Sequence, residues 1–373
     1  MAHDDTMAEM TRGNRLCMGG AGAAGKALLV SLLLPVLGSG ALWADSIQLL
    51  EGQVIGGATG PLEVVVAHWD NVQYKIGKNP TTVPGEKVLS MSRDSTLLQS
   101  PREALEAGDY VKAVRELSQV GAKAKEWEQA EAGYLLGKAH YRSGKLKEAE
   151  KALKEYLDKH KAEKDWFVPF ATFELAEALV KLKQPGTAEV RFKELLDFKG
   201  QWEYRSKIGQ AETIIATASK EKYLDARRLL DEVAKGREVP PALKQQAVVA
   251  RAQIFLLQNQ PQQVIKELGD EFFEKPRSQE VAYSASAERA DATLLMAKAY
   301  LALGGKENSE QAEIWLLKVA ALYKKFAEPY NAACDLLVDT YEKLGNKARS
   351  GEWRSRKVTA AVANGGGAET GSK

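Results

Sequence analysis

Cysteine, histidine and net charge are all scarce in this sequence of 373 residues. Two cysteines and four histidines are too few for a zinc ribbon or for a scaffold of several disulfides. The 52 lysines and arginines nearly balance the 50 aspartates and glutamates, and no long run of one sign occurs. Nucleic acid is therefore not the expected partner, because proteins hold its phosphates with an excess of positive charge.

Long hydrophobic runs are also rare. The run at residues 27–37 has 11 residues, too short to span a membrane, where about 20 are needed. Basic residues before it and small residues after it are typical of a secretory signal peptide. We predict that residues 1–44 are this signal peptide, cleaved after Ala44, with an uncleaved anchor as the alternative. The mature protein would be exported, to the periplasm or outside the cell, and would meet the membrane only transiently through this segment.

Catalytic and metal-binding motifs are lacking as well. The sequence has no H-E-x-x-H, G-x-S-x-G or paired-cysteine motif. A P-loop-like stretch at residues 20–27 ends in alanine where a magnesium-binding hydroxyl is required. His160 is expected to be a solvated cation at a helix end, and Cys334 a core residue. We therefore predict no catalytic residues, no metal ligands and no cofactor, and a protein that is not an enzyme.

Residues 45–95 contain five short runs rich in valine, isoleucine and leucine, separated by turn residues. This pattern predicts a small all-β domain, with a GKNPTTVPG loop before the last run. The opening segment LLEGQVIGGATG resembles the SH3-like and Sm-like β-barrels. No functional residue follows from that resemblance.

A helical repeat begins after this domain. Residues 130–157 read AEAGYLLGKAHYRSGKLKEAEKALKEYL. Gly137 lies in the first of two predicted helices, Gly144 at the turn between them, and Ala149 in the second helix. On these residues the segment resembles the tetratricopeptide repeat, a pair of antiparallel helices in which small residues allow close packing.

Further copies of the second helix recur along the chain. They are recognised by one small or β-branched apolar residue each: Ala113, Ala149, Ala188, Ala226, Val264 and Ala312. The intervals are 36 to 39 residues, and 48 for the last one, which exceeds the tetratricopeptide period of about 34. The resemblance implies a mainly α fold, a tetratricopeptide-like α-solenoid of about six to seven helical hairpins over residues 97–363, preceded by the small all-β domain. The glycine-rich residues 364–373 are predicted to be disordered.

The resemblance also implies where a partner binds, because first helices line the concave groove of such arrays. Tyrosines and cations at these positions have the composition of recognition surfaces. The predicted binding residues are Glu131, Tyr134, Lys138, Tyr141 and Arg142 on one first helix, and Phe170, Phe173, Glu177 and Lys181 on the next. The alternative for Tyr134 and Phe173 is packing against the following hairpin.

The favoured function is an exported, non-enzymatic scaffold or adaptor that binds a protein or peptide partner in this groove. One alternative is a binder of an envelope polymer or nucleic acid, with the β domain as its site and the solenoid as a spacer. A second is a non-catalytic subunit of an enzyme complex. The partner's identity, the oligomeric state and the role of the β domain do not follow from the sequence.

Overall fold

The computed structural model describes residues 45–50, 52–56, 62–217, 220–273 and 286–356. The predicted signal peptide at 1–44 and the predicted disordered tail at 364–373 lie outside the described residues. Within the described ranges, no helix combines the length and the apolar character that a membrane crossing requires.

Six short strands form two antiparallel sheets at the start of the described chain. In one sheet the strand order is β2-β1-β6, and in the other it is β3-β4-β5. Alternate residues such as Ile47, Val64 and Val72 point into a common core, as expected for strands with one buried face. The strands are β1 (Ser46–Leu49), β2 (Val54–Gly56), β3 (Leu62–Ala67), β4 (Asn71–Ile76), β5 (Asn79–Pro84) and β6 (Val88–Ser92).

The prediction of a GKNPTTVPG loop was wrong, because residues 79–84 of it form strand β5. Asn79 pairs with Ile76 and Pro84 pairs with Asn71, so β5 runs along the whole of β4. Gly77 takes a positive φ of 64° at the turn, which allows the chain to reverse tightly. The two prolines are tolerated because β5 is the edge of its sheet.

Fourteen α helices follow in the described residues and pair in chain order as seven antiparallel hairpins. This confirms the predicted mainly α, tetratricopeptide-like array. The helices are α1 (Thr96–Glu106), α2 (Tyr110–Leu117), α3 (Glu126–Arg142), α4 (Leu146–His160), α5 (Val168–Lys181), α6 (Pro185–Glu194), α7 (Gln201–Ala216), α8 (Tyr223–Lys235), α9 (Pro241–Leu257), α10 (Pro261–Leu268), α11 (Ala287–Leu303), α12 (Lys306–Leu322), α13 (Ala327–Lys343) and α14 (Lys347–Ser355).

The repeated small residue of each second helix is a packing position. All six residues used to detect the repeat are completely buried. Five of them are the fourth residue of their helix, and Ser350 holds the same place in α14, where it is also buried. Small side chains here let the two helices of a hairpin approach closely. The seventh hairpin therefore has the same kind of small packing residue, with serine in place of alanine.

Five of the seven turns inside the described hairpins share one backbone conformation. A residue with positive φ stands two positions after the first helix ends: Gly108, Gly144, Lys183, Asn259 and Gly345. The next amide donates to a carbonyl five residues earlier, as in Lys145 to His140 and Gln184 to Leu179, both 2.9 Å. This arrangement satisfies carbonyl groups at the helix end that otherwise lack a partner.

The sheets are joined to the helices through the connector between α4 and α5. The backbone amide of Trp166 donates to Ala67 of β3 at 3.1 Å, and the amide of Trp69 donates to Lys164 at 3.0 Å. The Trp166 side chain is buried in the core of the β sheets. Lys164 and Asp70 add an ion pair of 2.6 Å. The β unit and the second and third hairpins thus share core and backbone hydrogen bonds.

Two of the smaller sequence predictions have clear outcomes. Cys334 is buried in the core of the last hairpins, as predicted. The prediction for His160 was wrong, because its side chain is buried and its Nδ1 lies 2.9 Å from Glu163 Oε2. The ring packs against Tyr156 at 5.0 Å between centroids, and this contact removes it from solvent.

Candidate functional site

First helices of successive hairpins contact one another and enclose a cavity of about 630 Å³, which we call the inner cavity. Its wall comes from α3, α7, α9, α11 and α13 and from the turn before α13. Arg142 and Glu328 both line it although they are far apart in sequence. The hairpins therefore curve far enough to bring the second and the seventh to one site.

The wall of the inner cavity is both apolar and charged. The apolar part includes Val249, Leu294, Leu295, Phe326 and Pro329. The charged lining residues are four carboxylates and three cations: Glu212, Glu288, Asp291, Glu328, Arg142, Lys298 and Lys325. Such a mixture suits a polypeptide segment, whose side chains alternate between apolar contact and charge pairing.

Two of these carboxylates have strongly perturbed pKa values. Burial and the charge of Glu177 raise the pKa of Glu212 to about 7, although Gln246 Nε2 donates to its Oε1 at 3.2 Å. Loss of hydration within the cavity, together with Glu328 and Glu288, raises the pKa of Asp291 to about 6. Both carboxylates are therefore held in an environment that disfavours their negative charge.

Glu131 and Tyr134, predicted to bind the partner, lie in the interior. Glu131 is 7% exposed, and its carboxylate forms an ion pair of 2.6 Å with Arg102. Tyr134 is 2% exposed, stacks on Phe167 at 4.8 Å and donates to Glu174 at 3.1 Å. The side chain of Tyr134 therefore packs against the following hairpin, which was the alternative for it. Neither residue presents a free surface to a ligand in this conformation.

Phe170 and Phe173 are half-buried between hairpins. Phe170 packs edge to face on Trp202 at 4.6 Å, and Phe173 packs on Phe192 at 5.9 Å. The guanidinium of Arg205 lies 5.4 Å from the Phe173 ring. These rings connect α5 to α6 and α7, so packing accounts for both.

The other five predicted residues form a connected polar cluster on α3 and α5. Lys138 Nζ lies 3.9 Å from Glu174 Oε1, and its side chain is 34% exposed. Lys181 lies over the Tyr141 ring at 5.0 Å, and the Tyr141 hydroxyl is hydrogen-bonded to Glu177. Arg142 is exposed and lines the inner cavity.

Arg142 also belongs to a smaller cavity of about 350 Å³ between α1 and α3, whose wall includes Arg102, Leu105, Tyr110 and Lys138. The predicted cluster on α3 thus reaches both cavities through one arginine.

The sequence analysis missed Glu174 and the carboxylates of α7, α11 and α13. Glu174 is 7% exposed, and burial raises its pKa to about 7 in spite of Lys138. A signal was present in the sequence, since one or two acids on an otherwise apolar first helix, as in TFELAEAL or ADATLLMA, are costly to bury. That signal identifies the residues but not the direction in which they point.

The described residues contain no group of three or more histidine, cysteine, aspartate or glutamate side chains arranged to hold a metal ion. The inner cavity combines apolar walls with charged side chains.

Comparison with known proteins agrees with the fold described above. Residues 104–167, which contain the end of α1, all of α2 to α4 and the connector to α5, match the tetratricopeptide repeat family model. The described hairpins repeat this unit along the chain, so the fold is a tetratricopeptide-like array.

One similar solved structure is a tetratricopeptide repeat protein from Parabacteroides merdae ATCC 43184. It is 15% identical to this chain, with a TM-score of 0.35, and the alignment covers 64% of this chain and 96% of that one. A search of curated proteins returned no match.

Proposed function

We propose that this protein is an exported, non-enzymatic scaffold that binds an extended segment of a partner protein in the inner cavity. Tetratricopeptide repeats in general mediate interactions between proteins, and the match at residues 104–167 supports this class of function. The observation that carries the proposal is the cavity of about 630 Å³, which first helices of five hairpins line with both apolar and charged side chains.

The proposed site lies further toward the C-terminus than the predicted one. Arg142 belongs to both, and Lys138, Tyr141, Glu177 and Lys181 extend the surface toward the second and third hairpins. The apolar wall of α9 and α11 supplies the contact area, and charges around it orient the segment. Replacing a few central side chains with alanine should therefore remove most of the affinity for the partner segment.

Photo-crosslinking tests this proposal with two matched positions on one hairpin. Gln253 on α9 is exposed and lines the inner cavity, whereas Gln262 on α10 is exposed and does not line it. A photoreactive amino acid at 253 should crosslink one discrete partner, identified by mass spectrometry, that the same group at 262 does not. Equal crosslinking at both positions, or none at 253, would contradict the proposal.

Binding of the purified partner completes the test. Gln253→Trp should fill the cavity and weaken binding at least about ten-fold, while Gln262→Trp should leave it unchanged. If the partner proves to be an enzyme, the protein is a non-catalytic subunit of an enzyme complex. If both variants bind normally, the partner docks elsewhere, and the β unit becomes the next surface to test.

Export is proposed from the pattern of residues 1–44. The fold is compatible with cleavage after Ala44, because Asp45 already belongs to the β unit: its carboxylate accepts the amides of Val64 at 2.6 Å and Asp94 at 2.7 Å. Edman sequencing of protein from the producing cell should begin at Asp45. A mature chain that retains residues 27–37 would show an uncleaved anchor instead.

A further inference from the structure

Carboxylates lie on four of the first helices, α5, α7, α11 and α13, and the last three of these helices border the inner cavity. Glu177 on α5 raises the pKa of Glu212 on α7, and Asp291 on α11 does the same. Glu328 on α13 in turn raises the pKa of Asp291. We call Glu177, Glu212, Asp291 and Glu328 the carboxylate row. Three of its members, Glu212, Asp291 and Glu328, line the inner cavity together, so their charges act on one another across it.

Among the cavity members of the row, Glu212 is half-buried and Asp291 and Glu328 are exposed. None of the three forms an ion pair within the described residues. The hydrogen-bond donor to Glu212 is the neutral amide of Gln246, and Lys298 acts on Asp291 only at longer range. On the outer helices several acids are paired, as Glu150 is with Lys154 at 2.6 Å.

A buried oxygen next to the row is also left without a partner. Glu174 lies one turn before Glu177 on α5, and Glu174 Oε2 makes no hydrogen bond within the described residues. A carboxylate buried to this degree normally has each oxygen satisfied, because an unpaired buried acceptor costs free energy. One buried acceptor oxygen beside the N-terminal end of the row is therefore left unsatisfied within the described residues.

The chemistry of the cavity restricts which kind of ligand can pair with its carboxylates. A metal ion needs several ligands converging on one point, and the described residues hold no such group. A lysine or arginine side chain instead brings its own donors and needs only one or two carboxylates. Its aliphatic stem also suits the apolar wall of Val249, Leu294 and Phe326.

Resting on the proposed function, we propose that the segment held in the inner cavity is basic: its lysine or arginine side chains pair with Glu212, Asp291 and Glu328, and its apolar side chains contact α9 and α11. The cavity lining supports this polarity with four carboxylates against three cations. The partner would carry a short stretch in which basic and apolar residues alternate.

Selection from a random library of 12-residue peptides on the immobilised full chain tests this inference. Peptides retained by the wild-type protein should be enriched in lysine and arginine over the starting library. The double variant Glu212→Gln, Asp291→Asn keeps the shape of both side chains and removes their charge, and it should lose this enrichment. Affinity of a selected basic peptide should fall at least about ten-fold in the double variant.

The matched control removes two carboxylates from the outer helix α12. Glu307 and Glu310 are exposed and lie outside the inner cavity, so Glu307→Gln, Glu310→Gln should retain both the enrichment and the affinity. Equal unfolding midpoints of the control and wild type, and an unchanged circular dichroism spectrum of the double variant, show that the variants are folded.

The outcomes separate the two proposals. Selected peptides that show no preference for basic residues, and that the Gln253→Trp variant no longer retains, would overturn the basic-segment inference. The proposed scaffold function would still stand in that case. Retention of no peptide above the bare support would count against both. Basic enrichment that survives Glu212→Gln, Asp291→Asn would place the cationic site elsewhere and would also overturn the inference.

Discussion

Lys183 occupies a backbone conformation that glycine holds in three of the equivalent turns. Its φ is 60°, and the corresponding residues in the other hairpins include Gly108, Gly144 and Gly345. A side chain makes this left-handed region unfavourable, because Cβ approaches the following carbonyl. The third hairpin therefore forms its turn at a local cost that the packing around it offsets.

Replacing Lys183 with glycine should raise the free energy of unfolding by about 0.5–1 kcal/mol, since glycine adopts the same φ without strain. Gly144→Ala at the equivalent turn should lower it by about 1 kcal/mol. Urea denaturation followed by circular dichroism measures both. A decrease for Lys183→Gly would mean that its side chain makes a stabilising contact that outweighs the strain.

Gly209 shows a second residue-scale constraint, at the crossing of α7 and α6. A Cβ added at this position would stand 2.1 to 2.5 Å from three ring atoms of Phe192. Phe192 is almost completely buried, so the ring has no free space into which it can move.

Gly209→Ala should therefore destabilise the protein by about 1–3 kcal/mol through overpacking. Gly186→Ala on α6 is the matched control, because nothing lies within 4 Å of its added Cβ, and alanine should stabilise the helix by up to about 1 kcal/mol. Thermal unfolding midpoints distinguish the two. Equal effects of the two substitutions would contradict the close crossing.

Among the elements, the connector between α4 and α5 decides how the β unit relates to the hairpins. Trp166 is 3% exposed and packs with Ile47, Leu62 and Val72, which belong to three different strands. Because the neighbouring Phe167 and Phe170 reach both this core and the hairpin core, the two parts are expected to unfold together.

Trp166→Ala should cost about 3–5 kcal/mol and should reduce hydrogen-exchange protection in β3 and in α5 alike. The control is Trp353→Ala on α14, a similarly buried tryptophan in the last hairpin. Its effect should stay in the C-terminal hairpins, because repeats contact mainly their neighbours. Loss of protection confined to the β sheets in Trp166→Ala would show that the units are independent.

The sequence was informative about elements for a physical reason. Hairpin packing depends on residues close in the chain, so the spacing of Ala113, Ala149 and Ala188 in the sequence already indicates the repeat. Strand β5 was harder to predict, since its pairing with β4 depends on a partner strand and outweighs the low strand preference of two prolines.

Over the molecule as a whole, carboxylates of the inner face whose pKa values are raised make stability depend on pH. The folded protein raises the pKa of Glu174 and Glu212 to about 7 and of Asp291 to about 6. Between the ordinary carboxyl pKa and these values, the folded state binds more protons than the unfolded state. Stability from these groups is therefore present at low pH and is lost as the pH rises through about 6 to 7.

Glu212→Gln should reduce the loss of stability between pH 5 and pH 8 by about 1–3 kcal/mol, because it removes one such titration. Glu155→Gln on the exposed face of α4 is the control and should leave the pH dependence unchanged. The lowered pKa of half-buried His140, caused by burial and Lys145, acts in the opposite direction in all variants and cancels in the comparison. Urea midpoints at the two pH values decide the outcome, and identical slopes for Glu212→Gln and the wild type would contradict it.

Local patterns in the amino-acid sequence were enough to predict the repeated hairpins and the small residues of the second helices. Which first-helix side chains remain accessible depends instead on how the hairpins pack. Glu131 and Tyr134 are surface positions on a single helix, yet the preceding hairpin covers Glu131 through Arg102 and the following hairpin covers Tyr134. Helix periodicity predicts which residues share a face but not what packs against that face. Arg142 and Glu328 border one cavity because curvature accumulates over the hairpins between them. No local sequence pattern gives this accumulated curvature, so the inner cavity and its carboxylates could be recognised only in the folded array.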